Sequence, residues 1–226
     1  MQTEISSAFE QVVKNRRAVR GFLPQPVDPA LLQQVFALAQ QAPSNCNTQP
    51  WQVVVASGEA CERLRQKIPA AMTAGQISMD FPYDGIYDGV YKERQHSAAA
   101  ALYNAMGIER SDKSGRGAAF MRNFEFFGAP HVAFLFLPEP FGLREAADVG
   151  MYAQTLMLSL TAHGLASCPQ TALGFHADLV RSELEVPENH KLLFGISFGY
   201  EDVEASANLC RVERAPLMQN IRFVED

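Results

Sequence analysis

The sequence predicts a single α/β-type sandwich in which helices and strands alternate along one chain of 226 residues. Three observations lead to this fold class. Hydrophobic residues make up 47% of the chain and charged residues 19%, which provides enough apolar surface for a core. Short continuous apolar runs alternate with amphipathic segments. We find no repeat, low-complexity segment or linker, so residues 1–226 are expected to form one domain.

The predicted helices begin and end at recognisable residues. Asp28 is an N-cap, Pro29 suits the first helical position, and the helix they start stops before Pro43. The segment 146–163 has apolar residues on most faces, so we expect it to be buried on all sides, in a large core or a subunit interface. Gly164 suits its C′ position. Other helices are predicted at 8–14, 59–68, 92–106 and 178–184, with an aromatic helix or turn at 120–127.

Strands are predicted at 53–56, 132–137 and 192–200, where short continuous apolar runs are typical of buried strands. Residues 74–91 combine glycine, aspartate and aromatic residues, and long loops of this kind often form lids or binding loops. The segment 168–174 is expected to be a loop, which either presents backbone N–H groups in a turn or simply joins two helices.

Several function classes are disfavoured by the composition. A net charge of −6 without a long basic run argues against nucleic-acid binding. The N-terminus, residues 1–5, does not resemble a signal peptide, and the apolar stretch 151–165 is too interrupted to span a membrane. Four cysteines far apart, and histidines without ligand spacing, predict a reduced, cytoplasmic protein without a metal site. P-loop, Rossmann and hydrolase-elbow motifs are absent from the sequence.

Arginines form the first candidate site. Arg16, Arg17 and Arg20 lie within five residues and offer bidentate contacts to a phosphate dianion. If the segment is helical, Arg16 and Arg20 share a face. The alternative is a solvated basic turn at a helix end. Arg214, before Pro216, could return another cation to the same phosphate, or be an ordinary surface arginine.

A polar loop bounded by prolines forms the second candidate site. Ser44, Asn45, Asn47 and Gln49 supply donors and acceptors suited to a ribityl chain or the edge of a heterocycle. The alternative is a plain connection before the first strand, with Trp51 as a core anchor. The aromatic residues at 124, 126 and 127 are interpreted as core or as a lid over a cofactor.

Together these segments resemble the FMN-dependent nitroreductase family in order and rough spacing. The resemblance runs from about Phe9 to Leu217. Its most specific parts are the RR-x-x-R-x-F stretch ending at Phe22 and the APS-x-x-N-x-QPW stretch ending at Trp51. The chain departs from the family pattern at Ala18, where a hydroxyl residue is usual, so one contact to the phosphate or ribityl chain is lost.

The resemblance implies an α+β fold with a mixed, mainly antiparallel sheet flanked by helices, in an intertwined homodimer with FMN at the interface. One subunit would bind FMN through the segment 16–20, with a cation from the C-terminal tail on the phosphate, and the partner would contribute the polar loop. A third segment would lie beside the flavin ring. The implied FMN-binding residues are Arg16, Arg17, Ala18, Arg20 and Arg214, then Ser44, Asn45 and Asn47, then Gln170, Thr171 and Ala172.

The activity implied is ping-pong hydride transfer from NADH or NADPH through flavin N5 to a nitroaromatic or quinone-like acceptor. No side chain is expected to act as a catalytic acid or base, and we hypothesise that Arg20 stabilises the reduced flavin at its N1–C2=O edge. Tyr83, Tyr87 and Phe124 are expected to contact the substrate. The alternatives are dehalogenation or activated-alkene reduction on the same fold, a flavin-binding protein without turnover, and a structural protein without flavin.

Overall fold

The computed structural model describes residues 3–225, which form an α+β fold around an antiparallel sheet. Within that range the strands are β1 (Gln52–Ser57), β2 (His131–Pro138), β3 (Ala166–Gln170) and β4 (His190–Gly199). They lie in the order β1-β2-β4-β3, and each neighbouring pair is antiparallel. This arrangement confirms the antiparallel sheet flanked by helices that the resemblance implied.

Helices cover both faces of the sheet. They are α1 (Glu4–Asn15), α2 (Pro29–Ala39), α3 (Gly58–Thr73), α4 (Gly89–Ala105), α5 (Lys113–Met121), α6 (Leu143–Ala162) and α7 (Ala177–Glu183). Short 3₁₀ turns occur at Asn45–Asn47, Phe126–Gly128, Thr171–Phe175, Ser206–Leu209 and Leu217–Gln219. The predicted cap of α2 is confirmed, since the Asp28 carboxylate accepts the Ala30 N–H at 2.7 Å. Gly164 follows α6 with a φ of +74°, as its C′ position requires.

The buried strand β2 divides the core into two layers. Because successive side chains of a strand point to opposite faces, Val132, Phe134 and Phe136 pack towards α3 and α7. The alternate residues of β2 pack towards α2 and α6. Both sets are almost fully buried, which makes β2 the central element of the fold.

Four expectations need correction. The segment 168–174 contains the end of the edge strand β3 and most of a 3₁₀ turn, and is not a helix-to-helix loop. β3 is short, polar and carries Pro169, so its pairing with β4 has no local sequence signal. β1 is an edge strand with Val55 36% exposed, and so is not fully buried. The helix α3 continues through Pro69 to Thr73.

The fourth correction concerns α6, which is not covered on all sides within one chain. Ala147, Gly150, Met151 and Gln154 leave one face of this helix exposed. The subunit-interface alternative therefore remains open for that face. Met1 and Gln2, part of the N-terminus in which no signal peptide was expected, lie outside the described residues. No helix within residues 3–225 is long and apolar enough to cross a membrane.

Candidate functional site

The arginine segment leaves α1 and runs extended beside β3, so the helical alternative for residues 16–20 is wrong. Ala18 forms a parallel bridge with Ser167, and the Val19 N–H donates to the Ser167 carbonyl at 3.0 Å. In an extended segment alternate side chains face the same side. Arg16 and Arg20 accordingly lie close enough to the Cys168 thiol for both charges to act on its pKa. The segment therefore presents two guanidinium groups near one end of β3.

Arg16, Arg20 and Arg214 carry positive charge that the described residues do not neutralise. Within residues 3–225 none of the three forms an ion pair, and Arg214 donates only to the carbonyls of Val212 and Glu213, at 3.0 and 3.3 Å. Burial lowers the pKa of Arg16, and the neighbouring charge of Arg214 lowers it further. Cations held together without a carboxylate are suited to a phosphate dianion.

Arg17 differs from the other arginines. Its guanidinium forms an ion pair with the Glu201 carboxylate, and both side chains are about one-quarter exposed, at 24% and 26%. A phosphate contact from Arg17 would require this pair to open. The predicted role of Arg17 in cofactor binding therefore stays a prediction, and its observed contact is a structural one.

The polar loop before β1 has an unusual backbone. Cys46, Asn47 and Gln49 have φ values of 50°, 56° and 48°, a region that non-glycine residues rarely adopt. The Ser44 hydroxyl accepts the Gln49 N–H at 2.9 Å, and the Asn45 N–H donates to the Asp148 carboxylate of α6 at 3.1 Å. Such local strain is often kept at ligand-binding sites, where the surrounding contacts hold it in place.

The arginine segment and the polar loop do not meet within one chain. The loop is attached to α6 at Asp148, near the start of the helix, whereas the arginines pair with β3, just after the helix ends at Ala162. These ends of α6 are about 14 positions apart, which at about 1.5 Å per residue is roughly 21 Å. A single chain therefore keeps these two groups of candidate residues apart.

The segment 170–172, which is expected beside a flavin ring, is held in place by the side chain of Gln170. Gln170 is 3% exposed; its amide oxygen accepts from the Ser197 hydroxyl, and its amide nitrogen donates to the Asn123 carbonyl at 2.8 Å. Any contact from Gln170 to a ligand must come from its backbone. Thr171 is exposed and Ala172 is half-buried, so both remain accessible.

The aromatic loop is attached to the same region. The Ser78 N–H donates to the Phe175 carbonyl at 2.8 Å, at the end of the turn that begins at Thr171. Tyr83 lies over Phe175 with ring centroids 6.5 Å apart, and its hydroxyl is 3.4 Å from that of Tyr87. Both tyrosines are more than 40% exposed. This attachment brings the loop next to the segment predicted to lie beside a flavin ring.

Phe124 requires a correction. Its side chain is fully buried and packs edge-on against Phe120 and His176, with centroid distances of 5.4 and 5.5 Å. A residue with no exposed surface cannot contact a substrate without opening the core. Phe126 and Phe127 are buried as well, so the core interpretation of this aromatic run is the one that the burial supports.

The two buried cysteines of the chain, Cys61 and Cys168, are not activated as nucleophiles. Burial raises the pKa of Cys168, and of Cys61, to about 11, which leaves both thiols protonated. Within residues 3–225 no group of three or more histidine, cysteine or acidic side chains could hold a metal ion.

The sequence did not reveal the residues that hold the arginine segment in place. Glu201 pairs with Arg17, and Asn208 binds the backbone at Arg20 and Gly21. Both lie more than 180 positions away in the chain, and no local motif marks either of them. Their contacts form only because the C-terminal part of the chain folds against the arginine segment.

An α+β fold with unpaired arginines beside an edge strand is suited to a phosphate-bearing cofactor. The comparison with known proteins narrows this class, because residues 13–200 match the sequence profile of the Nitroreductase family. The chain belongs to this family.

Named relatives cover nearly the whole chain. It is 48% identical over 221 residues to Nitroreductase NfnB of Mycolicibacterium smegmatis, covering 97% of this chain and 94% of the relative. It is 32% identical to a 4-nitrobenzoate reductase of Pseudomonas putida, covering 93% and 92%. The crystal structure of the FMN-dependent nitroreductase NfnB from Mycobacterium smegmatis in complex with NADPH matches with a TM-score of 0.94 and 47% identity, over 98% of this chain and all of that one.

Proposed function

We propose that this protein is an FMN-dependent NAD(P)H oxidoreductase that reduces nitroaromatic or quinone-like acceptors. The observation that carries the proposal is the cluster of Arg16, Arg20 and Arg214, which have no ion-pair partner within the described residues. Holding like charges close together is unfavourable unless an anion joins them, and Arg16 and Arg20 are half-buried as well. The names of the relatives, an FMN-dependent nitroreductase and a nitrobenzoate reductase among them, support FMN and a nitro acceptor as ligands.

The chain fits FMN through its donor groups. Arg16 and Arg214 would bind the phosphate, Arg20 would lie towards the N1–C2=O edge of the ring, and the Thr171 and Ala172 backbone would lie beside it. Ala18 would contribute only its backbone. When bound, FMN accepts a hydride from NADH or NADPH and passes reducing equivalents to the acceptor. The protein's part is to position the flavin and to favour negative charge on the reduced ring through the Arg20 guanidinium.

We propose a homodimer as the active assembly, because each chain keeps the arginine segment and the polar loop apart. In a twofold dimer with antiparallel α6 helices, the Asp148 end of one α6 would approach the Ala162 end of the other. Ser44, Asn45 and Asn47 would then approach FMN bound to the partner's arginines. The exposed face of α6, with Gly150 and Met151, supports this pairing.

Tyr83 and Tyr87 would contact the acceptor from the exposed aromatic loop, since planar rings stack favourably. A cytoplasmic location is also part of the proposal. It is supported by the cysteines, all four of which are free and therefore suit a reducing compartment.

The test is the visible absorption spectrum of the gently purified protein, followed by anaerobic titration with NADH or NADPH. We expect a flavin spectrum that bleaches on reduction and returns when a nitrobenzoate is added. A spectrum that does not bleach would favour a flavin-binding protein without turnover. A colourless protein that does not take up FMN would refute the proposal. A panel of nitroaromatic, quinone, halogenated and activated-alkene acceptors would separate nitro reduction from the other flavin reductions.

A further inference from the structure

We infer that Asn208 is a positioning residue for phosphate recognition, which ties the backbone of the arginine segment at Arg20 and Gly21 to the start of the C-terminal tail that carries Arg214. The inference rests on the proposed function, because it assumes that these arginines bind the phosphate of FMN. It adds a residue that touches no ligand and that no sequence motif identified.

The side-chain amide of Asn208 is fully used. The residue is 2% exposed, and its amide oxygen accepts the Arg20 N–H at 2.7 Å. Its amide nitrogen donates to the carbonyls of Gly21 and Asp202, both at 2.8 Å. The partners fix the orientation of the amide, because an N–H needs an acceptor and two carbonyls need donors. Two of these hydrogen bonds join residues 20–21 to the segment that follows β4, and the third, to Asp202, holds Asn208 within that segment.

The segments joined by Asn208 are packed closely. A Cβ atom on Gly21 would lie 2.4 Å from the Ala205 Cβ and 3.2 Å from the Asn208 amide nitrogen. The Asp202 N–H also donates to the Gly21 carbonyl at 3.0 Å. Glycine is therefore required at this position, because a side chain would collide with Ala205. The two segments are packed too closely to shift relative to each other.

Asn208 also lies at the start of the C-terminal tail, which carries Arg214, the third arginine of the cationic cluster. Its own carbonyl accepts from the Arg211 guanidinium at 2.7 Å, and the chain then continues to Arg214. Arg16 and Arg214 repel each other, and the described residues provide neither of them with a carboxylate. Asn208 holds the backbone at Arg20 and Gly21 through its side chain and the Arg211 guanidinium through its carbonyl, so it joins the arginine segment to the start of the tail before an anion arrives.

Preorganisation of this kind should act mainly on the phosphate, because Asn208 holds only the backbone of Arg20 and not the guanidinium that is proposed to lie at the ring edge. A group that is held in place before binding does not have to be ordered by the ligand, which strengthens binding. Riboflavin has the ring and the ribityl chain of FMN but lacks the phosphate. The ratio of the Kd for riboflavin to the Kd for FMN therefore measures phosphate recognition separately from general damage to the fold.

The experiment compares the full-length apoprotein with its Asn208→Ala variant, using fluorescence quenching of FMN and of riboflavin at fixed protein concentration. We expect the Kd for FMN to rise by about 10-fold to 100-fold, by analogy with the loss found when a hydrogen-bond partner that orients a metal ligand is removed. The Kd for riboflavin should change much less, so the ratio should fall. Gly21→Ala, which displaces the same contact while keeping Asn208, should lower the ratio as well.

Ser159→Ala is the matched control. Ser159 is 6% exposed and donates one buried hydrogen bond to the Val35 carbonyl at 3.1 Å, between α6 and α2. Its loss should reduce stability without changing the ratio. An unchanged ratio in Asn208→Ala and Gly21→Ala, or an equal fall in Ser159→Ala, would overturn the inference. A wild-type protein that binds FMN no better than riboflavin would refute phosphate recognition itself, and with it the proposed site.

Discussion

Replacing Arg16 with methionine should weaken FMN binding and leave the apoprotein as stable as before or more stable. Arg16 is partly buried, its pKa is lowered by that burial and by Arg214, and no carboxylate of the described residues pairs with it. Its charge is therefore unfavourable in the folded apoprotein at neutral pH. Methionine keeps an unbranched apolar stem in the same space and removes the charge.

The size of both effects follows from these contacts. A hydrogen bond to a charged group contributes about 1.5–3 kcal/mol, so the Kd for FMN should rise by roughly 10-fold to 150-fold. Relief of the charge should add between zero and about 1 kcal/mol to the free energy of unfolding, because solvent screens a partly exposed group. Binding and stability would then change in opposite directions, which is characteristic of a residue kept for a ligand.

The assays are urea unfolding of the apoprotein and fluorescence titration with FMN, at one protein concentration because the stability of the proposed dimer would depend on it. Arg17→Met is the matched control. Arg17 already pairs with Glu201, so its loss should lower the free energy of unfolding by leaving that carboxylate unpaired. An Arg16→Met protein that binds FMN within about twofold of wild type, or that loses as much stability as Arg17→Met, would refute the reasoning.

Three further predictions follow from the site and the core. Arg20→Ala should lower the flavin reduction potential, because in the proposed site the guanidinium would favour the anionic reduced ring; an unchanged potential in the reconstituted variant would rule out that role. Burial lowers the pKa of His131, whose Nε2 accepts the Val27 N–H at 2.9 Å, so stability should be full above about pH 6.5 and fall below it. A His131→Gln variant with the same pH dependence of urea unfolding would exclude His131 as the cause. Tyr83→Ala and Tyr87→Ala should raise the KM for nitroaromatic acceptors while anaerobic flavin reduction by NAD(P)H keeps its rate; unchanged acceptor kinetics in both would remove the loop from the acceptor site.

The sequence by itself determined the elements with strong local signals. Asp28 and Pro29 mark the start of α2, and Gly164 marks the end of α6, because caps depend on a few neighbouring residues. The apolar runs that became β2 and β4 were equally clear. The family was also recognisable from sequence, because the arginine segment and the polar loop keep their order and spacing along the chain.

Only the tertiary structure decided how the parts meet. β3 exists because β4 offers it an edge, and Phe124 is buried because Phe120 and His176 pack around it. Asn208 and Arg20 are 188 positions apart, so no local pattern could connect them. Caps, turns and apolar periodicity depend on near neighbours and can be predicted from sequence. Strand pairing, burial and the partner of each charge depend on which distant segments come together, and that is settled only when the chain folds.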